Sequence, residues 1–221
     1  MRYSLVRQKR KTLTIQIRDG VITVKAPMKM PTEHIESFVA QKSAWIDKKL
    51  FEYAVKTSAV RPALDYSSAM YHGSACPIIK TDKVKRIALS DGELLVPNKY
   101  GSEEEALKAV AAWYKRVAKK ELSELLDGTA KATGLEYKSF ATTNARGKWG
   151  SCDGDCNIRL NWRLVMLDGD LARYVVVHEL AHTVHHDHSK AFWAVVGSLY
   201  PDYKNAVKRL KMNSVLITLY R

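Results

Sequence analysis

The amino-acid sequence predicts an α+β fold, and three patterns carry that prediction. Near the N-terminus, apolar and polar residues alternate from Leu13 to Ile17, which is the period of a half-buried β-strand. After Ser102, apolar residues recur every three or four positions, which is typical of an amphipathic helix. Further on, the segment 171–180 is apolar on nearly all sides, as a buried helix is. We expect a β-rich N-terminal region, residues 1–100, packed on a C-terminal domain, residues 101–221.

The N-terminal region begins with a predicted hairpin and a helix. Asp19-Gly20 is a dipeptide that favours the positive φ of a tight turn, and 21–25 would be the returning strand. A single helix is predicted from Thr32 to Leu50, because its apolar residues keep helical spacing. Residues 57–69 resemble a linker, and a second group of strands is predicted over 76–97, with a turn at Asp91-Gly92.

The C-terminal domain begins with a long predicted helix. Ser102 and Glu105 have the spacing of a capping box, and the helix is expected to end at Gly128 or Gly134. Strands are predicted over 137–142 and 148–152, followed by the clearest alternation in the chain, from Ile158 to Leu164.

Composition and charge limit the classes of protein to consider. The chain has 221 residues, 46% of them hydrophobic, and no apolar run long enough to span a bilayer, so we expect a cytoplasmic protein without a membrane segment. The net charge is +13, and residues 1–60 hold 12 lysines and arginines against 5 acids. That excess suits a nucleotide or nucleic acid as partner, and it equally suits plain solubility.

The three cysteines fit a reducing compartment, because an odd number at this low density does not form a disulfide scaffold. Cys152 and Cys156 lie four positions apart and could form half of a metal site. No second cysteine pair completes such a site, so the simpler interpretation is two small residues beside a hairpin turn.

The clearest chemical motif is His178-Glu179-Leu180-Ala181-His182, which has the form H-E-x-x-H. On a helix, positions i and i+4 lie about 5–6 Å apart on one face, so both imidazoles can reach one ion. Glu179 is offset from that face and can address a metal-bound water as general base. The motif predicts one zinc ion and a hydrolytic reaction.

A third ligand is expected shortly after the motif. His188 follows His178 by ten positions, the separation used by metzincins, although His185 stands where those proteins have glycine. We expect the helix to end at His185 or within two residues of it, so that His188 can return to the metal. His185, His186, another ligand or no third protein ligand remain alternatives. Tyr200 and Tyr203 could offer a hydroxyl to the developing oxyanion.

Several of these segments together resemble the YgjP-like metallopeptidase family, relatives of the SprT-like zincins. The resemblance covers almost the whole chain, and Lys148 stands where the family usually has arginine. It rests on the following residues: Arg10–Leu13, Ala26-Pro27, Trp45-Ile46, Trp149–Cys152, Asn161–Arg163, His178–His182, His188-Ser189, Phe192-Trp193 and Pro201–Tyr203.

This resemblance implies a C-terminal zincin-type domain, a peptide or protein substrate, and zinc ligands at His178, His182 and His188. By analogy with zincins, the strand 158–164 would run along the cleft, so its outward residues would contact substrate: Asn157, Asn161 and Arg163. Tyr203 is a further candidate for substrate binding. A solvated strand face is the alternative for Arg163, as it is for Arg159.

Two other functions remain open at this stage. The same metal site could hydrolyse a phosphoanhydride such as a nucleoside triphosphate, although the chain has no glycine-rich phosphate loop. The chain could instead bind nucleic acid and carry an accessory metal site. Glu179 argues against that second alternative, because a structural zinc site is closed by four ligands and needs no general base.

Overall fold

The computed structural model describes residues 2–58, 60, 63 and 66–220, and the chain divides into two compact units, Met1–Ala59 and Val60–Arg221. Both units contain small β-sheets together with helices, so the α+β class is confirmed. Among the described residues, no helix combines the length and the apolar character needed to cross a membrane.

The first unit contains one three-stranded sheet and two helices. Strands β1 (Ser4–Gln8), β2 (Thr14–Arg18) and β3 (Val21–Pro27) have the order β1-β3-β2, with β1 parallel and β2 antiparallel to β3. The predicted hairpin is present, and Asp19 and Gly20 both have positive φ. Helices α1 (Thr32–Gln41) and α2 (Ser43–Ser58) replace the single predicted helix, because the backbone turns at Lys42.

The core of the first unit is apolar. One face of β3 and one face of the two helices supply its fully buried side chains: Ile22, Val24, Ala26, Ile35, Val39 and Ile46. Val24 and Ile35 are completely inaccessible, and the alternating burial along β3 is the period of a strand with one covered face.

The second unit begins with a four-stranded sheet, ordered β4-β5-β7-β6. Its strands are β4 (Ser68–Tyr71), β5 (Ser74–Thr81), β6 (Ala88–Ser90) and β7 (Glu93–Pro97). The predicted turn at Asp91-Gly92 joins β6 to β7, with positive φ at both residues. This sheet belongs with the residues after it because the Tyr114 hydroxyl donates to the carbonyl of Met70, and the His72 N–H donates to Val165. The division at residue 100 stays a prediction.

Helix α3 (Glu103–Thr133) is the longest element, and it begins and ends at predicted residues. The Ser102 hydroxyl accepts from the Glu105 N–H, and the Glu105 carboxylate accepts from the N–H of Gly101. Gly134 ends the helix at φ 71°, a left-handed conformation that glycine adopts without strain. One face of α3 packs against the segment Trp162–Met166 and against the helix Gly169–Ala181.

A second three-stranded sheet supports the site, ordered β8-β10-β9, with strands β8 (Ser139–Thr143), β9 (Gly150–Cys152) and β10 (Asn157–Asn161). The predicted strand from Ile158 to Leu164 is wrong in its second half, since a 3₁₀ helix occupies Trp162–Met166. The side chain of Asn161 accepts the N–H of Arg163 and so starts that helix. Helices α4 (Gly169–Ala181), α5 (Lys190–Leu199) and α6 (Tyr203–Met212) follow, then a 3₁₀ turn at Asn213–Thr218.

Candidate metal centre and cleft

Helix α4 carries the H-E-x-x-H motif, and its start is fixed by local chemistry. The Asp168 carboxylate caps the helix by accepting the N–H of Leu171, and it also pairs with Arg209 of α6 at 2.7 Å. The helix is apolar on most of its surface and lies inside the second unit. His178 and Glu179 are therefore held in its buried last turns.

The chain reverses directly after the motif. Helix α4 ends at Ala181, before His185, so the expected end within two residues of His185 is wrong. The backbone still turns, because the N–H groups of Thr183, Val184 and His185 donate back to Leu180 and Ala181, and His185 does not have positive φ. Ser189 then caps α5 by accepting the N–H of Phe192. The turn and the cap together return His188 toward the motif.

Three imidazoles meet at this reversal. One ligand atom from each of His178, His182 and His188 lies within 4.8 Å of the others. The Nε2 atoms of His178 and His188 are 3.2 Å apart. Two nitrogens bound at about 2.0–2.1 Å to one tetrahedral ion would lie about 3.3–3.4 Å apart, so the donor set fits a zinc-type site. The side chains of His185 and His186 are not in this group.

The surroundings of the rings favour their metal-binding form. Nδ1 of His182 is 3.0 Å from the carbonyl oxygen of His185, a contact that places the proton on Nδ1 and leaves Nε2 free for a ligand. Burial, followed by the charges of His182 and His188, lowers the pKa of His178 to about 4, so its ring is neutral. Nδ1 of His178 is buried and has no hydrogen-bond partner among the described residues.

Glu179 is buried beside these rings, with 5% of its surface exposed. Burial raises its pKa to about 7, while the charge of Lys148 and a hydrogen bond from the backbone of Cys152 act in the opposite direction. The carboxylate lies against Gly150 so closely that a Cβ added there would be 2.6 Å from Oε1 of Glu179. Because Gly150 has no side chain, the Glu179 carboxylate can lie directly against strand β9, and this contact fixes its position.

The site opens into a cleft of about 210 Å³. Residues of β9, the loop before it, α4 and α6 line this cleft: Lys148, Trp149, Gly150, Tyr174, Val175, His178, Glu179 and Leu210. Behind the imidazoles, the Phe192 ring stacks on His182 at a centroid distance of 4.3 Å. The site thus combines a polar centre with apolar walls, the usual composition of a ligand pocket.

The predicted substrate residues are not brought together in this cleft. Asn161 and Arg163 are buried at 0% and 2% exposure, and their side chains bind backbone and amide groups of the interior. Asn157 binds Asp153 and Ser139 at the β9–β10 turn. The Tyr203 ring stacks on Trp193. Substrate contact by these four residues remains a prediction that their placement does not support.

Both interpretations of the cysteines can be compared with the structure. All three cysteines are free thiols. Cys152 ends β9, Cys156 has positive φ in the turn before β10, and no metal-binding group among the described residues includes either one. Their placement matches two small residues beside a hairpin turn.

Sequence reasoning missed that Lys148, Trp149 and Gly150 line the same cleft as Glu179. The string Trp149–Cys152 carries the resemblance, but no periodicity or ligand spacing shows that its glycine touches Glu179. Tyr174, four residues before His178, was also missed. The helix is apolar on nearly all sides, so its sequence does not indicate which face lines the cleft.

Comparison with known proteins gives a family match. No curated protein matches the chain. The crystal structure of the metallopeptidase zymogen of Pyrococcus abyssi abylysin is similar, with 21% identity and a TM-score of 0.37, over 40% of this chain and 90% of that one. The family model described as YgjP-like, metallopeptidase domain, matches residues 11–213. The chain therefore belongs to the YgjP-like metallopeptidase domain family.

Proposed function

We propose that this protein is a zinc-dependent peptidase in which His178, His182 and His188 bind one metal ion and Glu179 is the general base. The observation that carries the proposal is the meeting of three imidazoles within 4.8 Å beside a buried carboxylate. A structural zinc site would use four protein ligands, whereas three leave one position for water. Membership of a metallopeptidase family supports a peptide or protein as substrate.

The chemistry follows from the positions of the side chains. When bound, zinc would act as a Lewis acid that makes water a nucleophile near neutral pH. Glu179 would accept the proton of the attacking water on a carboxylate oxygen and return it to the amide nitrogen as the peptide bond breaks. Gly150 and the backbone of Cys152 hold that carboxylate in one place.

The apolar walls of the site would strengthen these electrostatic steps. Phe192 contacts all three rings, at centroid distances of 4.3 to 5.0 Å. Such packing keeps water away from the back of the imidazoles and lowers the local dielectric response. It also fixes the orientation of the rings, which must be held closely for metal binding.

The experiment that tests this function is a product profile. The purified chain, with zinc and then with a chelator, is incubated with a mixed peptide library, a panel of nucleoside triphosphates, and single-stranded DNA and RNA. We expect new peptide termini that disappear with chelator and return with added zinc. Chelator-sensitive release of nucleotide products without peptide cleavage would replace the peptidase proposal with the phosphoanhydride alternative.

A further inference from the structure

The cleft contains one cation that the proposed mechanism does not yet use. Lys148 lines the cleft together with His178 and Glu179, and its side chain is exposed. In the part of the chain that the structure describes, no acidic side chain lies within ion-pair distance of its ammonium group. The charge of Lys148 acts on Glu179, whose pKa it lowers, but the two side chains form no ion pair, so the ammonium group can turn toward a molecule bound in the cleft.

The backbone that presents Lys148 is held by a buried side chain. The Asn161 amide, fully inaccessible, donates to the carbonyl of Ala145 at 2.8 Å and to that of Lys148 at 3.2 Å. The N–H of Asn161 also donates to the carbonyl of Trp149 at 2.7 Å. These three bonds join the loop before β9 to the end of β10. They hold the backbone at Lys148 and at Ala145 and Trp149 on either side of it.

A second buried side chain, that of Arg163, holds the start of the same loop. The Asn144 side-chain oxygen accepts from Nη1 of Arg163 at 2.7 Å and from the indole nitrogen of Trp162 at 3.1 Å. The guanidinium in turn donates to the carbonyl of Leu219 at 2.7 Å. Burying the Asn161 amide and the Arg163 guanidinium is costly unless they are hydrogen-bonded, and the bonds of both side chains hold the same loop.

The reaction develops negative charge on an oxygen that a cation in this cleft can stabilise. As the water oxygen forms its bond to the carbonyl carbon, the π electrons of the scissile carbonyl move onto its oxygen, which becomes negative. Two tyrosines were expected to meet that charge, and neither is among the residues that line the cleft. The Tyr200 hydroxyl donates to the carbonyl of Asp170, and the Tyr203 ring stacks on Trp193.

We propose that Lys148 binds the scissile carbonyl oxygen and stabilises the negative charge that develops there, and that Asn161 is the positioning residue that holds Lys148. Lys148 exchanges no proton in this step. Glu179 takes the water proton and delivers it to the leaving nitrogen, and the electron pair on the oxygen re-forms the carbonyl as the C–N bond breaks. This inference rests on the proposed peptidase function and adds the residue that stabilises the carbonyl oxygen.

The test compares Lys148→Ala with Lys148→Arg and with Lys131→Ala, a control that removes an exposed lysine in the last turn of α3. We expect equal zinc content in all variants. Peptide kcat/KM should fall about 10²–10³-fold in Lys148→Ala, as when one oxyanion donor is lost. It should stay within about tenfold in Lys148→Arg, which keeps the charge, and should not change in Lys131→Ala.

Two further readouts separate this role from a structural one. A phosphinic peptide carries a negative oxygen in place of the carbonyl, so its inhibition constant should rise in Lys148→Ala by about the same factor as kcat/KM falls. Asn161→Ala should lower kcat when it is made in the parent. Made in the Lys148→Ala variant, the same change should alter kcat by less than about twofold, because a positioning residue acts through the group that it holds. If Asn161→Ala does not fold, the Lys148 series decides alone.

Two outcomes would overturn the inference, and they differ from failure of the function itself. If the parent cleaves peptides and Lys148→Ala retains kcat/KM within threefold, the carbonyl oxygen is stabilised by another group. Unchanged inhibition by the phosphinic peptide would exclude Lys148 in the same way. A zinc-loaded parent that cleaves no peptide would overturn the proposed peptidase, and this role with it.

Discussion

The two units of the chain bury different kinds of side chain. Among the described residues, the core of the first unit consists of aliphatic side chains, and Thr57 is its one buried polar residue. The second unit buries Glu179 beside the cleft and His182 in the imidazole cluster, and it buries Asn161 and Arg163 where they hold the loop before β9. Since buried polar groups are costly, a fold keeps them where they position something. The comparison directs attention to the second unit as the place of function.

The largest expected effect that sharpens this comparison is at Glu179. Glu179→Gln keeps the shape of the side chain and removes the proton acceptor, so turnover should fall about 10²–10⁴-fold while zinc remains bound. The matched change in the first unit is Glu36→Gln, at an exposed position of α1, and it should leave turnover unchanged. Peptide kinetics with zinc content measured on the same samples give the answer. Turnover of Glu179→Gln within a few-fold of the parent would make Glu179 a packing residue.

The next effect concerns the two glycines of the β9–β10 region. In Gly150→Ala the new Cβ would lie 2.6 Å from Oε1 of Glu179, so the carboxylate has to move. A displaced catalytic group costs about 10²-fold in rate, and we expect a loss of that order with zinc retained. Gly154→Ala is the control, because a Cβ at Gly154 meets nothing within 4 Å. Equal activities of the two variants would show that catalysis does not depend on the contact between Glu179 and β9.

The smallest of these effects is on stability and compares two arginines that the alternating pattern treats alike. Arg163→Leu leaves buried acceptors without a donor, each costing about 1–3 kcal/mol, so we expect the free energy of unfolding to fall by about 2–4 kcal/mol. Arg159 is half exposed and pairs with Asp153 at 3.2 Å, so Arg159→Leu should leave that free energy close to the parent value. Denaturant unfolding of both variants measures the difference, and equal values would mean that the Arg163 network does not hold the fold.

Local chemistry explains which parts of the fold could be predicted. The Ser102–Glu105 cap, the Gly134 end and the turns at Asp19-Gly20 and Asp91-Gly92 depend on neighbouring residues, and the structure has all of them. The end of β10 could not be predicted, because the alternation continues through Leu164 while the Asn161 side chain bends the backbone. That bend depends on carbonyls of a loop 13 to 16 residues earlier in the chain.

The candidate site shows the same division. The pair His178 and His182 follows from helix periodicity, and His188 from a spacing that a turn can close. The contacts of Glu179 with β9 and the place of Lys148 depend on how separate elements pack, which no local pattern encodes. Asn161 and Arg163 were predicted to face substrate, and their burial shows that a polar residue on an alternating strand can instead support a neighbouring loop.

The most direct test of the account is a zinc titration of the parent, His188→Ala and His186→Ala. The parent should bind one equivalent of zinc per chain. His188→Ala should bind zinc more than about 100-fold more weakly, because a direct ligand is lost and even the loss of a residue that only supports a ligand costs about 10–100-fold. His186 is not in the cluster of three histidines. His186→Ala should therefore match the parent. A parent that binds no zinc, or a His188→Ala variant with unchanged affinity, would contradict the three-histidine metal site.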